Sequence, residues 1–269
     1  MKFGLKGLLT IAAAASALVL SGCGEKQADT SKIKVGVMAG AEAQVAEVAA
    51  KVAKEKYGLD VELVTFTDYV TPNAALDDGS IDINAFQHKP YLDQQVTDRG
   101  YKLTIAGNTF VYPIAGYSKQ VKSVDEIQDG ARIAVPNDPT NLGRSLLLLE
   151  QQGLLKLRDG VGLLATVRDI AENPKNITIV ELDAAQLPRS LDDVALSIIN
   201  TTYASSIDLT PQKDGVFVED KESPYVNLIV AREDNAQAEN VTNFVKAYQT
   251  EEVYNAASDI FKGGVVKGW

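Results

Sequence analysis

From Lys32 onward, short runs of β-branched and other apolar residues alternate with segments of helical periodicity. This alternation is typical of βαβ units, in which helices cover both faces of a parallel sheet. The sequence therefore predicts an α/β fold with parallel sheets. In the first series, strands and helices are predicted in order at 33–37, 44–57, 61–66, 71–79, 81–86, 90–99 and 101–106.

A second series begins near Pro113 and ends in a further strand and two helices. Its strands are predicted at 114–117, 131–135, 177–182 and 194–199, with a short helix after Ser123 and a longer one at 141–152; the last strand is at 226–231 and the last helices are at 236–249 and 251–261. This order indicates two lobes joined by two crossings. We expect 32–110 with 226–269 to form one lobe and 111–225 the other, with a ligand cleft between them.

The first 31 residues have the features of an exported, anchored protein. Lys2 and Lys6 precede an apolar run over 8–19, which is too short for the roughly 20 residues of a membrane-spanning helix. The run ends at Cys23 in a pattern that resembles the bacterial lipobox. We expect removal of residues 1–22, lipid on Cys23 and a polar tether over 23–31 that holds the protein at the cell membrane, facing the periplasm or cell exterior. The alternatives are an ordinary secretory cut or an unmodified cysteine.

Charge and cysteine content exclude several classes of protein. The net charge is −10, and removal of the signal takes away two lysines and no acids, so the mature chain carries −12. Nucleic-acid binding needs clustered Lys and Arg, so no nucleic-acid partner is expected. Cys23 is the only cysteine, which leaves none for disulfides. No cofactor is predicted, because the glycine spacing fits neither common phosphate-binding loop.

Arg144 is the strongest single candidate for a ligand-binding residue. With Asn141 as the predicted helix cap, Arg144 falls in the first turn, where the helix dipole disfavours a cation. The free N–H groups of a helix start favour an anion, and a guanidinium beside them would grip a carboxylate. The alternative is a surface arginine that extends to solvent or to Asp138.

His88 is the only histidine and follows a predicted buried strand. A catalytic role would need a nucleophile or carboxylate at reach, and the spacing indicates none. A single histidine without cysteine partners cannot form a zinc site, so neither catalytic nor metal-binding residues are predicted. His88 is more simply a packed or hydrogen-bonding residue that can also contact a ligand.

Aromatic and amide side chains near strand ends complete the candidates. The aromatic residues are Tyr69, Phe86, Tyr91, Phe110 and Tyr112, which line a pocket or close the core. Two amides, Asn200 and Asn227, lie beside or inside strongly apolar runs. A buried amide needs partners, since an unpaired one costs about 1 to 3 kcal/mol, and those partners are either backbone groups or a ligand.

Over nearly the whole mature chain, the sequence resembles the NlpA lipoprotein family, which includes the methionine-binding lipoproteins of bacterial ABC importers. The segments that carry this resemblance are 34–37, 86–92 (Phe-Gln-His-Lys-Pro-Tyr-Leu), 107–113 (Gly-Asn-Thr-Phe-Val-Tyr-Pro), 135–144 (Val-Pro-Asn-Asp-Pro-Thr-Asn-Leu-Gly-Arg), 200–204 (Asn-Thr-Thr-Tyr-Ala), 223–227 (Ser-Pro-Tyr-Val-Asn) and 263–264. It implies a two-lobed periplasmic-binding-protein fold that closes on a ligand and delivers it to a membrane permease driven by an ATPase.

The resemblance also implies roles for individual residues. Arg144 would hold the carboxylate of L-methionine, and Asn200 and Asn227 its amino and carboxylate groups. The pocket for the ligand side chain would consist of Tyr69, Phe86, His88 and Tyr112. Thr140 and Asn141 would be further contacts.

Three functions compete at this point. The first is a receptor for methionine import, with another small amino acid or a methionine derivative as alternative ligands. The second is a secreted enzyme, which would have to depend on His88. The third is a surface lipoprotein whose main partner is a protein, for which we expect a large exposed apolar patch.

Overall fold

The computed structural model describes residues 29–220 and 223–269. Within these ranges, strands and helices alternate and build two separate main sheets, so the predicted α/β class is confirmed. The signal segment, Cys23 and most of the tether lie outside the described residues. Among the helices that are described, none is long and apolar enough to cross a membrane.

The strands have bounds close to those predicted, with several short additions. They are β1 Lys32–Met38, β2 Asp60–Phe66, β3 Ile83–His88, β4 Leu103–Val111, β5 Ala115–Tyr117, β6 Arg132–Pro136, β7 Lys156–Leu157, β8 Ile170–Glu172, β9 Thr178–Leu182, β10 Leu196–Ile199, β11 Phe217–Val218, β12 Val226–Arg232 and β13 Val266–Lys267. The helices are α1 Ala41–Tyr57, α2 Thr71–Asp77, α3 Lys89–Arg99, α4 Pro139–Gln151, α5 Leu187–Ser190, α6 Thr201–Ser205, α7 Pro211–Asp214, α8 Glu239–Tyr248 and α9 Glu251–Ile260.

The first sheet has six strands in the order β13-β4-β12-β3-β1-β2. Strand β1 is parallel to β2 and β3, as predicted for βαβ units. The sheet is not parallel throughout, because β12 enters between β3 and β4 and is antiparallel to both. The sheet is therefore mixed, and its central strand comes from the late part of the chain.

The second sheet has five strands in the order β11-β5-β10-β6-β9. Strand β6 is parallel to β9 and β10, whereas β5 is antiparallel to β10 and β11. A small antiparallel pair, β7 with β8, lies outside this sheet. Each main sheet thus has three parallel strands on one side, β3-β1-β2 and β10-β6-β9, and antiparallel strand pairs on the other.

Two crossings connect the sheets. The chain leaves the first sheet after β4 and enters the second at β5; it returns between β11 and β12. Val226 is the register partner of Val111, so the start of the first crossing lies beside the end of the second. We call the first sheet with its helices lobe 1 and the second sheet with its helices lobe 2, and we propose the boundaries 32–110 with 226–269 and 111–225 for them.

Each lobe has its own apolar core. In lobe 1, Val45, Ala49 and Val52 place one face of α1 against the sheet and against Phe244 of α8. In lobe 2, the leucines of α4 pack on β6 and β10. Helices with an apolar stripe at this spacing are stable only when the stripe is covered, which fixes them on the sheets.

The helix that carries Arg144 begins earlier than predicted. Asp138, not Asn141, is its N-cap: the Asp138 carboxylate accepts a hydrogen bond from the backbone N–H of Asn141 at 2.9 Å, and Pro139 occupies the first helical position. Proline is favoured there because the first N–H groups of a helix have no partner in the helix. Arg144 therefore lies in the second turn, and the dipole argument for its role is wrong.

Gly143 in α4 is required by a close backbone approach. A Cβ atom added to Gly143 would lie 2.1 Å from the carbonyl oxygen of Leu163, in the turn that passes over the helix. No side chain fits at that distance. The glycine thereby lets the 162–164 turn pack directly on the helix that carries the candidate site.

Candidate functional site

A cavity lies between the lobes, and all eight of the predicted ligand-binding side chains line it. Its free volume is about 370 Å³, open solvent at its mouth included. The lining residues are Tyr69, Phe86, Gln87, His88, Tyr91, Tyr112, Asn141, Arg144, Asn200, Thr201, Thr202 and Asn227. They come from both lobes, so the cavity depends on how the lobes meet.

Arg144 is buried, and its Nε and Nη2 atoms form hydrogen bonds within the protein. Its side chain is 3% exposed, so the alternative of a solvent-exposed arginine is wrong, and its ion-pair partner is Glu219, not Asp138. Nε donates to Glu219 Oε1 at 2.7 Å, and Nη2 donates to Glu219 Oε2 and to the carbonyl of Tyr112. The guanidinium carbon lies 4.3 Å from the ring centroid of Tyr225. Nη1 forms no hydrogen bond with any residue that the structure describes.

Asn141 bridges the two lobes. His88 Nδ1 accepts from the backbone N–H of Tyr91, so Nε2 carries the ring hydrogen and donates to Asn141 Oδ1 at 3.2 Å. The same oxygen accepts from Asn200 Nδ2 at 2.9 Å, and Asn141 Nδ2 donates to the Asp138 carboxylate. Every polar atom of this amide therefore has a protein partner.

The His88 ring is neutral. Burial, with the Arg144 guanidinium nearby, lowers the pKa of His88 to about 3. Both ring nitrogens form hydrogen bonds, and the Tyr225 ring packs edge-on at 5.0 Å between centroids. A histidine in this state neither accepts a proton near neutral pH nor has a free nitrogen to accept it with.

Asn200 and Asn227 differ in how well they are satisfied. Asn227 faces His88 across the β12–β3 pair and donates from Nδ2 to the carbonyl of Phe86 at 2.9 Å. Asn200 donates to Asn141, but its Oδ1 is buried and has no partner among the described residues. Such an acceptor costs about 1 to 3 kcal/mol when left unpaired. A ligand that donates a hydrogen bond to Asn200 Oδ1 would remove this cost.

Aromatic rings form one wall of the cavity. Tyr69 lies 5.9 Å from Phe86 and 5.0 Å from Tyr203 between ring centroids, and Phe86 lies 6.0 Å from Tyr91. Phe110 is different: it is fully buried in the lobe 1 core and does not line the cavity. Among the aromatic candidates at strand ends, Phe110 thus closes the core and the others border the cavity.

A buried amide network supports this wall from behind. Asn73 donates to Gln87 Oε1 at 2.8 Å, Gln87 donates to Asn73 and Asn84, and Asn84 donates to Asn73. All three side chains are buried. The network ties α2 to the end of β3 and fixes Gln87, which lines the cavity.

Sequence reasoning missed several residues of the site. Glu219 and Tyr225 hold Arg144, and Gln87, Thr201 and Thr202 line the cavity. Thr140, by contrast, does not line it and bonds Asp138 instead. The only local signal was position, since Gln87 adjoins His88 and the two threonines follow Asn200. Nothing in the sequence pairs Glu219 with an arginine 75 positions earlier.

The fold and the cavity define a class, the two-lobed binding proteins that hold a small ligand between α/β lobes. The sequence model of the NlpA lipoprotein family matches residues 33–269. The chain belongs to this family.

Several proteins of known name or structure are similar to this chain over most of its length. A protein of Vibrio cholerae named "Probable D-methionine-binding lipoprotein MetQ" is 83% identical over the full length of both chains. A nutrient-binding protein of Burkholderia cenocepacia, solved with bound methionine, is 52% identical with a TM-score of 0.86, over 88% of this chain and 100% of that one. An ABC transporter periplasmic substrate-binding protein of Coxiella burnetii is 48% identical, also with a TM-score of 0.86, over 88% and 100%.

Proposed function

We propose that this protein binds methionine in the cavity between its lobes and delivers it to the permease of an ABC importer, whose ATPase subunit drives transport. One observation carries the proposal. Within a single cavity, two polar atoms form no hydrogen bond with any residue that the structure describes: the guanidinium nitrogen Arg144 Nη1 and the buried amide oxygen Asn200 Oδ1. A carboxylate and an ammonium group, the two charged ends of an α-amino acid, complement this pair.

The carboxylate end is assigned to Arg144. Glu219 fixes the guanidinium through two hydrogen bonds and the Tyr225 ring lies against it, so the remaining nitrogen is held in place before ligand binds. Such preorganisation lowers the ordering cost of binding. A carboxylate accepting from Arg144 Nη1 would form a charge-assisted hydrogen bond.

The amino end is assigned to Asn200, with Asn227 as a second group at the lobe junction. Asn200 Oδ1 can only accept, and an ammonium group only donates. Binding therefore supplies the partner that this oxygen lacks. Asn141, whose polar atoms all have protein partners, would act mainly by holding Asn200 and His88 in position.

The ligand side chain is assigned to the aromatic wall of Tyr69, Phe86, His88 and Tyr112. Contacts between a thioether sulfur and aromatic rings contribute about 0.3 to 1.5 kcal/mol. Since 1.4 kcal/mol is tenfold in affinity, methionine should bind about 2- to 12-fold more tightly than norleucine, which has a methylene group in place of the sulfur.

An enzymatic function is disfavoured by the state of His88. A buried, neutral imidazole whose two nitrogens already form hydrogen bonds cannot serve as a general base. Among the described residues, no group of three or more metal-ligating side chains is present. We infer a binding protein without catalytic activity, held at the membrane by lipid on Cys23.

Calorimetry with a panel of ligands tests the proposal. Mature protein, freed of bound ligand by unfolding and refolding, is titrated with L-methionine, D-methionine, L-norleucine and L-leucine, and the mass of any co-purified ligand is determined beforehand. We expect L-methionine to bind most tightly. If the protein bound neither methionine enantiomer, the function would be refuted. Equal affinities for leucine and methionine would favour a broader class of amino-acid receptor.

D-methionine is a second candidate, because the V. cholerae relative is named for it. Both enantiomers carry the same carboxylate, ammonium and thioether groups. They differ in which way the side chain leaves the α-carbon, so the aromatic wall would decide between them. The calorimetric comparison of the two enantiomers separates these ligands directly.

A further inference from the structure

Glu42 is a buried carboxyl group at the junction of the lobes. It lies in the first turn of α1 in lobe 1 and is 3% exposed. The hydroxyl of Thr202, in α6 of lobe 2, hydrogen-bonds to its Oε1. Glu42 is shielded from solvent and forms no ion pair within the described parts of the chain, so no cation stabilises a charge on it.

The groups that face Glu42 are hydroxyls, not cations. They are Tyr69 after β2, Tyr112 after β4, Thr202 and Tyr203 in α6, and Tyr248 in α8. On the outer side, Lys262 and Asp208 line a neighbouring cavity between α1 and α6. One influence favours the ionised form, since Glu42 lies in the first turn of α1, where the helix dipole stabilises a negative charge.

Burial outweighs these influences. Desolvation raises the pKa of Glu42 to about 8, although the hydrogen bond from Thr202 acts in the opposite direction. The helix terminus opposes this rise and reduces it without reversing it. With the lobes closed, the pKa of Glu42 is therefore raised toward neutral pH, and a substantial fraction of the group is protonated there.

Lobe opening removes the cause of this shift. Thr202 and Tyr203 belong to lobe 2 and move away with it, and the adjoining cavity already leads from the seam between α1 and α6 toward solvent. In water a glutamate ionises near pH 4.3. We propose that Glu42 takes up a proton when the lobes close, so that ligand binding is coupled to protonation of this residue.

The direction of the coupling follows from which form binds the proton more tightly. The closed form binds it more tightly, so closure is favoured as pH falls. The equilibrium constant for closure falls by up to tenfold per pH unit as pH rises between about 5 and 8. His88 acts in the opposite sense: its pKa is lowered in the closed form, so closure releases a proton from it near pH 6.5. A test must therefore distinguish proton uptake by Glu42 from proton release by His88.

The inference rests on the proposed function, and calorimetry at pH 7 tests both separately. L-methionine is titrated into native protein, Glu42→Gln and Glu47→Gln in buffers of different ionisation enthalpy, whose slope gives the number of protons taken up. Glu47 is exposed on the same helix and serves as the matched control. The contribution of His88 is common to all three proteins and cancels in the differences.

We expect native protein and Glu47→Gln to take up about a quarter to one proton more than Glu42→Gln. Equal proton counts in native protein and Glu42→Gln, with methionine still bound, would overturn the role of Glu42 and leave the function intact. Absence of binding in native protein would overturn both. If Glu42→Gln does not bind, infrared difference spectra of native protein decide: a protonated-carboxyl band must appear when methionine is added, and its absence would refute the proposal.

Discussion

Asn200 offers the sharpest test of how the ligand is held. Its Oδ1 is buried and has no partner in the part of the chain that the structure describes. The side chain does not cap α6, although Asn200 is the N-cap residue. Replacing it by alanine therefore removes no helix cap. The backbone at this position is extended, which alanine adopts without strain.

The expected loss of affinity comes from one charge-assisted hydrogen bond. Such bonds contribute about 1.5 to 3 kcal/mol, so Asn200→Ala should bind methionine roughly 10- to 150-fold more weakly. The ligand-free protein should lose little stability. Asn141 Oδ1, which accepts from Asn200, keeps its hydrogen bond from His88 and is not left unpaired.

Asn235 provides a matched control. It too has a buried Oδ1 without a partner in the described residues, and its Nδ2 donates to the carbonyl of Asp82 at 2.9 Å, but it does not line the ligand cavity. Calorimetric titration of L-methionine into both variants should show weak binding only for Asn200→Ala. An affinity of Asn200→Ala within twofold of native protein would show that this oxygen does not contact the ligand.

Three further changes test other parts of the structure. Arg144→Ala should weaken methionine binding at least 30-fold in calorimetry, from a loss of about 2 to 5 kcal/mol. It should also lower the free energy of unfolding by about 3 to 5 kcal/mol, because Glu219 stays buried without its cation. Adding Glu219→Ala should recover stability but not affinity. Gly143→Ala should destabilise the protein by about 1 to 3 kcal/mol in thermal unfolding, since its Cβ would collide with the carbonyl oxygen of Leu163; an unchanged melting temperature would contradict the close approach. Cys23→Ser should shift the protein from the membrane fraction to the soluble fraction, or leave its signal uncleaved, and native protein that fractionates as soluble would refute the lipid anchor.

The α/β class and most element bounds could be predicted from sequence, because they depend on local patterns. Period-2 and period-3.6 spacing of apolar residues in β1 and α1 reflects which face each element buries, and glycines mark the helix ends at Gly58 and Gly153. The start of α4 was mispredicted for a local reason as well. Asp138 and Asn141 are both good caps, and the proline that follows Asp138 favours the earlier start.

The arrangement of strands in the sheets required the tertiary structure. Strand β12 is apolar like any buried strand, and nothing in its own sequence reveals that it enters between β3 and β4 in the antiparallel direction. Direction and neighbour order depend on where the chain returns from lobe 2. Those are properties of the whole chain path.

The sequence by itself determined which residues could bind an amino acid; the tertiary structure decided what state each one is in. The predicted set was identified by residue type at strand and helix ends and by resemblance to a family, and its members line one cavity. The ion pair of Arg144 with Glu219, the unpaired oxygen of Asn200 and the buried carboxyl of Glu42 each depend on contacts between distant segments. Burial and partners set the charge and bonding capacity of a side chain, and both exist only once the lobes are packed together.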